Sequence, residues 1–459
     1  MEDDYTRARD FPTPGSSSTG TTSASRSVVA NEKMSRLDLI IFGATGYTGK
    51  NAVKELCRVL KNNAFTGLTW GVAGRSESKL DDVLREVSKK TEEDLSSIRK
   101  VIADVSDEKS LTDMCLQCKV IVNCCGPYRN YGEPVVKAAI EAKTHYVDVS
   151  GEPEFMETMQ LFYNERAREA GVYIISACGF DSIPNDMGVI FLQQNFGGTV
   201  NSVESYLTVM APKNPSGGYI NYGTWETLVY SLANYSMLSK LRKKLYPTPM
   251  PDFKPKLTRR RLLHSHNSAY TLPFPGSDGA VVYRTQRSLY EHESQRPAQF
   301  KAYVTFPSLF MGLKTLFGAI VLYLMSMLSC TRALLLRYPR LFSGGTVSRT
   351  EPSETDVQET RFYFELLAEG WAGDDADLTS PPNKTMTAKV TGSNPGYGAT
   401  VVALLFSAIM ILREQDKMPK CGVLTPGYAY RKTSIIQHLN ENNLKFEIVS
   451  RDSEKQNEK

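Results

Sequence analysis

Hydrophobic and polar positions follow one pattern up to about residue 190 and another beyond it. From Leu37 onward, short apolar runs recur, and apolar residues at helical spacing lie between them. Short apolar runs bounded by turn residues predict buried strands, and the spacing between them predicts helices with one apolar face. Strand and helix therefore alternate, as in a doubly wound parallel sheet.

The predicted strands and helices of this first region can be placed one by one. Strands are predicted at residues 37–42, 68–73, 101–102, 120–123, 146–147 and 173–176. Helices are predicted near residues 50–61, 79–89, 111–118, 133–142 and 154–170. The fold class is α/β, and we expect a Rossmann-like domain over residues 36–190.

The region beyond residue 190 is less regular and predicts a different architecture. Strands are predicted at 203–209, 280–282, 362–367 and 385–390, with proline-rich connections at 247–255 and 273–275 and a polar loop at 343–358. We expect a separate α+β domain over residues 191–395. An apolar helix is predicted at 399–412 and a last strand at 445–449.

Composition excludes several classes of protein. Hydrophobic residues are 41% and charged residues 23% of the chain, as in ordinary globular proteins, which excludes a wholly disordered or polytopic membrane chain. The net charge of +4 gives no support for nucleic-acid binding. Residues 1–35, rich in Ser, Thr, Gly and Pro, predict a disordered leader. Cys115 and Cys118 lack a second pair or nearby His, so we predict no metal site.

A glycine-rich loop directly follows the first predicted strand and opens a helix. Its spacing, G-x-x-G-x-x-G, is a variant of the dinucleotide-binding fingerprint. Glycines there permit a tight turn and close approach to a pyrophosphate, which would lie at the helix N-terminus. The cofactor-binding residues predicted in this loop are Gly43, Thr45, Gly46, Tyr47, Thr48 and Gly49.

The end of the second strand favours NADP over NAD. NAD sites carry an acidic residue there for the ribose hydroxyls, but residues 56–76 contain none. Arg75 stands there instead, with Lys79 one turn further on, and a guanidinium suits a 2′-phosphate. Asp104 is predicted to face the adenine. The nicotinamide half is predicted at the end of the fourth strand, at Asn123, Gly126 and Pro127.

These motifs together resemble the saccharopine dehydrogenase-like oxidoreductases. The resemblance rests on residues 43–49, 73–75, 123–128, 146–152, 179–186, 223–227 and 422–427. It implies that the Rossmann domain is interrupted by a substrate or homodimer domain, here residues 191–395. It also implies that residues 396–459 return to the first domain, through the helix at 399–412 and the strand at 445–449. It also implies association with lipid droplets, and mycobacterial trans-acting enoyl reductases are more distantly similar.

Catalytic groups are harder to predict than the cofactor site. Hydride transfer needs a group that polarises or protonates the acceptor. Tyr128, at the mouth of the fourth strand, and Asp181, in the turn after the sixth, are the predicted catalytic residues. Each has an alternative: ring packing or cofactor stacking for Tyr128, and helix capping for Asp181. Asp148 and Glu152 could likewise be caps.

Residues 315–331 carry no charge, although the chain as a whole has the composition of a soluble protein. The segment is apolar on all sides and is followed by Arg332, Arg337 and Arg340. It could be a buried core or dimer helix, a monotopic anchor in a lipid monolayer, or a span of about 17–20 residues. Basic flanks and the resemblance favour the anchor, on the cytosolic face of a lipid droplet or membrane. The 399–412 helix is predicted to be a core helix.

The combined prediction is an NADP-dependent oxidoreductase that reduces a lipid-linked carbonyl or enoyl group. The alternative is a non-catalytic lipid-droplet protein that retains a dehydrogenase fold. The intact glycine loop and Arg75 favour the enzyme, whereas the lack of a recognisable acid–base pair favours the alternative.

Overall fold

A computed structural model describes residues 35–61, 65, 67–212, 220–349, 354–373 and 377–450. Apart from Ser35, the predicted disordered leader lies outside these residues. In chain order, the strands are β1 Leu37–Phe42, β2 Trp70–Gly74, β3 Arg99–Ile102, β4 Cys118–Asn123, β5 His145–Asp148, β6 Tyr173–Ile175, β7 Gly198–Met210, β8 Ile220–Asn221, β9 His264–His266, β10 Ala269–Pro273, β11 Gln299–Phe306, β12 Val347–Ser348, β13 Arg361–Ala372, β14 Lys384–Ser393, β15 Gly422–Leu424 and β16 Leu444–Ser450.

The α-helices are numbered in the same way. They are α1 Tyr47–Leu60, α2 Glu77–Thr91, α3 Glu108–Cys115, α4 Tyr128–Glu141, α5 Pro153–Ala170, α6 Ile183–Asn195, α7 Tyr222–Ala233, α8 Tyr235–Leu245, α9 Asp278–Glu293, α10 Leu309–Met327, α11 Ser329–Arg337, α12 Pro339–Phe342, α13 Glu354–Glu359, α14 Thr400–Arg413, α15 Pro426–Tyr430 and α16 Ile435–Glu441. A π-helical turn, Pro395–Ala399, leads into α14.

The first sheet is parallel throughout, which confirms the predicted Rossmann-like fold. Its seven strands lie in the order β15-β6-β5-β4-β1-β2-β3. The order reverses between β1 and β4, and the crevice at such a switch point is where α/β sheets bind ligands. Its side chains are buried on both faces, one of which is covered by α1 and α14.

The second sheet is mixed and has the order β16-β14-β13-β7-β11-β10-β9. β7 and β11 pair in parallel, and the other neighbours are antiparallel. The predicted antiparallel strands at 362–367 and 385–390 are present as the pair β13 and β14. Helix α6, which follows the last helix–strand unit of the first region, packs on this second sheet and also against α9.

Two local predictions were wrong. Residues 280–282 form part of α9 instead of a strand, because a helix starting at Asp278 buries Val281 and Val282 as well as a strand would. The strand predicted at 445–449 exists as β16, but it pairs with β14 in the second sheet. It is β15 that extends the first sheet, beside β6.

Among the described residues, two helices are long and apolar enough to cross a membrane, judged by length and composition only: Leu309–Met327 and Pro395–Arg413. Their surroundings differ completely. Residues 400–411, which belong to α14, are buried, as predicted for a core helix. In α10, only Gly312 and Ser326 are buried, and large apolar side chains are exposed along the helix.

This contrast predicts that truncating a phenylalanine lowers the free energy of unfolding in α14 but hardly changes it in α10. Phe406 of α14 is fully buried and its ring stacks on His438, so Phe406→Ala should lower the free energy of unfolding by about 3–5 kcal/mol. Phe317 of α10 is 70% exposed, so Phe317→Ala should change it by less than about 0.5 kcal/mol. Urea unfolding in detergent-free buffer measures both. Equal losses would show that α10 is buried in solution.

Candidate active site

The glycine loop between β1 and α1 is packed so closely that two of its positions exclude a side chain. Gly43 has a φ of +80°, and a Cβ on it would lie 2.6 Å from the Cys125 sulfur. A Cβ on Gly49 would lie 2.2 Å from the Gly43 carbonyl oxygen. The loop is closed by a hydrogen bond from the Gly46 N–H to the same oxygen, at 3.0 Å. Helix α1 therefore begins directly at the carboxyl edge of the sheet.

The N-terminus of α1 fits a pyrophosphate. Its N-cap residue is Gly46, no side chain of the described residues caps it, and no acidic residue lies in its first turn. Thr45 and Gly46 are exposed, and Tyr47 and Thr48 are half-buried. Free N–H groups at the positive end of a helix dipole attract phosphate. A loop with this backbone can hold the phosphates of a dinucleotide.

Basic groups lie beside the loop at the end of β2. Arg75 is exposed and makes no hydrogen bond or ion pair with the part of the chain that is described. Lys79 is also exposed, and its backbone N–H is capped by the Ser76 hydroxyl at 3.4 Å. A guanidinium without a partner can form paired bonds with a 2′-phosphate. Asp104 accepts bonds from the Ser106 N–H and hydroxyl at 2.9 and 2.7 Å, which hold its pKa below the usual value.

A buried polar network fixes the ends of β4, β5 and β6. Asn123 donates to the Tyr146 hydroxyl at 3.0 Å, and this hydroxyl donates to Asp148 at 2.8 Å. Asp148 also accepts from the Ser176 hydroxyl at 2.9 Å and the Ala177 N–H at 3.1 Å. Burial raises the pKa of Asp148 to about 6 despite these bonds. Asn123 also accepts a hydrogen bond from the Cys125 N–H, so it holds the start of the loop at 124–127 in place.

Tyr128 is the first residue of α4 and follows Gly126 and Pro127. Its hydroxyl donates to the Asn123 carbonyl oxygen at 2.9 Å, and burial raises its pKa well above the usual value. A hydroxyl already bonded to the backbone is poorly placed to donate a proton to a ligand. Its alternative interpretation, a packing ring, therefore fits this geometry better, and its ring indeed lies beside that of Phe155.

The Glu152 side chain caps α4, whereas its position in the sequence predicts a cap of the following helix, α5. Its two carboxylate oxygens accept from the Tyr128 and Arg129 N–H groups at 2.9 and 3.0 Å, which are at the start of α4. Thr227 of α7 lies against the same carboxylate, at 3.4 Å. Burial raises the pKa of Glu152. Glu152 thus links the start of α4, on the side predicted to hold the nicotinamide, to α7.

Asp181 lies near the carboxyl end of β5, beside Gly151. One of its carboxylate oxygens lies 3.4 Å from where a Cβ on Gly151 would be. Its side chain is partly exposed and makes no hydrogen bond within the described residues, and burial raises its pKa. In contrast, Asp186 is buried and accepts bonds from the Gly427 N–H at 2.6 Å and the Thr285 hydroxyl at 2.9 Å. Asp181 is thus the less buried of these two carboxyl groups and the one without a hydrogen bond to the described residues.

Helix α7 lies along this edge of the first sheet, a feature that sequence reasoning missed. The Tyr47 ring of the glycine loop meets the Tyr397 ring edge-on, with centroids 4.2 Å apart, and the Tyr397 hydroxyl faces the backbone at Asn221. Further along α7, Thr227 contacts Glu152. The Tyr230 ring of the same helix lies 5.3 Å from the Arg129 guanidinium. These contacts join residues far apart in sequence, so no local pattern could reveal them.

Comparison with known proteins agrees with this geometry. The profile of the family described as "Saccharopine dehydrogenase NADP binding domain" matches residues 39–175. A human "Saccharopine dehydrogenase-like oxidoreductase" is 38% identical over 418 residues, which cover 90% of this chain and 97% of that protein. The chain belongs to the saccharopine dehydrogenase-like oxidoreductases. The resemblance noted from its motifs is confirmed, and so is NADP as the cofactor of its first domain.

Other members of the family carry different names. A Caenorhabditis elegans "Lipid droplet localized protein" is 36% identical over 429 residues, covering 91% of this chain and 99% of that protein. An Arabidopsis thaliana relative named "Probable mitochondrial saccharopine dehydrogenase-like oxidoreductase" is 32% identical over 442 residues, covering 90% of this chain and 96% of that protein.

The position of Arg75 predicts selective loss of NADPH binding on substitution. Arg75→Ala removes charge-assisted bonds to the 2′-phosphate, so the Kd for NADPH should rise about 10- to 100-fold while that for NADH stays within about twofold. Arg85→Ala, which removes an exposed arginine paired with Asp82 on α2, is the control and should leave both values unchanged. Titration of nicotinamide fluorescence measures them. Equal weakening for both nucleotides would exclude 2′-phosphate recognition by Arg75.

Proposed function

We propose that this protein is an NADP-dependent reductase of a carbonyl or enoyl group on an apolar, lipid-like substrate, acting at a lipid droplet or membrane surface. The observation that carries the proposal is the position of α7. One side of this helix contacts the cofactor-site loops through Glu152 and Tyr397. The other side packs against α10, whose outer surface is apolar and exposed. A substrate dissolved in lipid would meet the protein next to its cofactor.

The chemistry proposed at the cleft needs a hydride and a proton. NADPH, when bound, supplies the hydride. Asp181 is the proposed proton donor, because it is the unpartnered carboxyl group at the sheet edge and burial favours its protonated form. Tyr128, predicted with it, is assigned a positioning role for the loop at 124–127. A Mycobacterium tuberculosis protein named "Putative trans-acting enoyl reductase" is 26% identical over 85% of this chain, and its name supports an enoyl group as an acceptor.

The surface proposed to meet lipid is the outer face of α10. Phe310 is 75% exposed, Phe317 70% and Leu324 60%, and no described residue covers them. Burying such side chains in lipid favours binding by about 1.5–3 kcal/mol each. The exposed Arg337 and Arg340 lie beyond its C-terminal end, where they can reach anionic headgroups. Together these features support a monotopic attachment on the cytosolic face, in line with the name of the C. elegans relative.

A non-catalytic role at the same surface is the second candidate. It is favoured by the commitment of the Tyr128 hydroxyl to the backbone, which leaves this side chain poorly placed to donate a proton to a substrate. A homodimer that buries α10 is a further proposal. The two experiments below separate these possibilities from a lipid-bound reductase.

Hydride transfer can be followed directly with isotopically labelled cofactor. NADPH deuterated at nicotinamide C4 should transfer deuterium to long-chain enones or aldehydes presented in lipid emulsion, detected by mass spectrometry. Asp181→Asn should lower this transfer at least about 100-fold, since it removes a general acid. Glu165→Gln, an exposed carboxylate of α5, is the control and should retain full transfer. No deuterium in any product, with NADPH bound, would favour the non-catalytic candidate.

Attachment to lipid can be tested without deleting α10, whose inner side packs on α7. The triple variant Phe310→Ser, Phe317→Ser, Leu324→Ser should lose flotation with triglyceride droplets by at least about 100-fold in partition coefficient. Phe162→Ser, at a residue 62% exposed on α5, should float like the natural protein. Thermal protection by NADPH checks that each variant is folded. A triple variant that still floats, or a natural protein that forms a dimer and does not float, would contradict the proposal.

A further inference from the structure

A cavity of about 640 Å³ lies where helix α12 follows helix α11, beyond the C-terminal end of α10. Three of its lining residues are arginines, none is acidic, and most of the others are apolar or aromatic. The cavity therefore offers positive charge and apolar surface side by side. Its lining includes Arg337, Tyr338, Arg340, Leu341 and Arg349.

Two consecutive glycines bring the third arginine to the other two. Gly344 and Gly345 have φ values of +63° and +86°, in the left-handed region that favours glycine. The turn is closed by a hydrogen bond from the Gly345 N–H to the Arg340 carbonyl oxygen, at 2.8 Å. The chain therefore doubles back beside α12, and Arg349 lines the same cavity as Arg340.

Arg349 is held in place by its neighbours. It donates to the Leu336 carbonyl oxygen at 2.6 Å, and its guanidinium lies 4.5 Å from the centroid of the Tyr222 ring, on α7. Burial raises the pKa of Glu226, on the same helix, and the charge of Arg349 opposes this rise. Arg349 is therefore fixed to the body of the protein and partly balanced by a carboxyl group.

Arg337 and Arg340 are not balanced in this way. Both are exposed, and neither side chain makes a hydrogen bond or an ion pair with the part of the chain that is described. Like charges that line one cavity repel each other, and an anion placed between them relieves this repulsion. A guanidinium also matches the oxygens of a phosphate through paired N–H donors. The arginines of the cavity thus fit a phosphate group.

The apolar part of the lining fits the uncharged part of a lipid. Tyr338 and Leu341 are exposed beside the arginines. Inorganic phosphate has no atoms that would cover them, whereas the glycerol and first acyl carbons of a phospholipid do. The cavity is also tied to α10, because Arg332 of α11 donates to the Ser326 carbonyl oxygen of α10 at 3.0 Å. If α10 lies in a lipid monolayer, the cavity beyond its end adjoins the headgroups.

We propose that this cavity binds the headgroup of an anionic phospholipid. Arg337, Arg340 and Arg349 hold its phosphate, and Tyr338 and Leu341 contact the start of its acyl chains. The inference rests on the proposed attachment of α10 to lipid and adds a preference for one class of headgroup. Apolar attachment by α10 does not distinguish headgroups, whereas guanidinium groups select one with a net negative charge.

Vesicles of two compositions test the headgroup preference. The natural protein should partition onto vesicles of phosphatidylcholine with phosphatidic acid at least about tenfold more strongly than onto phosphatidylcholine alone. The double variant Arg337→Gln, Arg340→Gln should lose this preference and still float with triglyceride droplets coated in phosphatidylcholine. Arg85→Gln combined with Lys109→Gln removes the same charge from α2 and α3 and should behave like the natural protein.

A lysine variant separates recognition in the cavity from diffuse attraction. Arg337→Lys with Arg340→Lys keeps the charge but removes the paired donors, so it should lower partitioning onto the anionic vesicles about three- to tenfold. Unchanged partitioning of the lysine variant would show diffuse attraction and overturn the proposal. Unchanged partitioning of the glutamine variant would overturn it as well.

A soluble ligand tests the cavity independently of attachment to a surface. With NADPH saturating, dihexanoyl phosphatidic acid below its micelle concentration should bind at least about tenfold more tightly than inorganic phosphate, because only the lipid covers the apolar lining. Calorimetry measures both, and the glutamine variant should bind neither. Equal affinities would assign the cavity to free phosphate and overturn the phospholipid. Binding of the short-chain lipid by a natural protein that floats with no droplets would support the cavity and overturn only the attachment of α10.

Discussion

The close contact between Gly43 and Gly49 determines where the rest of the cofactor site can lie. With no side chain at either position, α1 starts against the strand edge, and the Cys124–Cys125 loop packs against Gly43 from the neighbouring strand. The free N-terminus of α1, Arg75 at the end of β2 and the loop after β4 then border one crevice. A single methyl group on Gly49 would displace the helix, because its neighbour there is backbone and cannot rotate away.

The remaining features are arranged around that crevice in layers. Below it, the network around Asp148 joins the ends of three strands through hydrogen bonds that are sealed from water, where such bonds are strong and their loss is costly. Beside it, α7 connects the loops to the second half of the molecule, and α10 lies outside α7. Helix α7 therefore lies between the glycine-loop side of the first sheet and α10.

Sequence patterns predict the parts of this arrangement that depend on neighbours in the chain. The strands of the first sheet and the glycine loop were predictable, because apolar runs and glycine spacing are local signals. Contacts between distant segments decide which sheet β16 joins and which helix Glu152 caps, so neither could be predicted. The sequence predicts that 399–412 is a core helix, but it leaves open whether the 315–331 segment is buried, and only the packing shows that α10 is exposed.

NADP is the cofactor of the first domain, and we propose that an adjacent but separate face of the protein binds lipid. Hydrogen–deuterium exchange, measured with NADPH, with lipid droplets and with both, tests it most directly. NADPH should slow exchange at residues 43–50 and 74–79, and droplets should slow it across 309–338, each independently of the other ligand. Protection of neither segment, or protection of the α10 region by NADPH in place of lipid, would contradict the account.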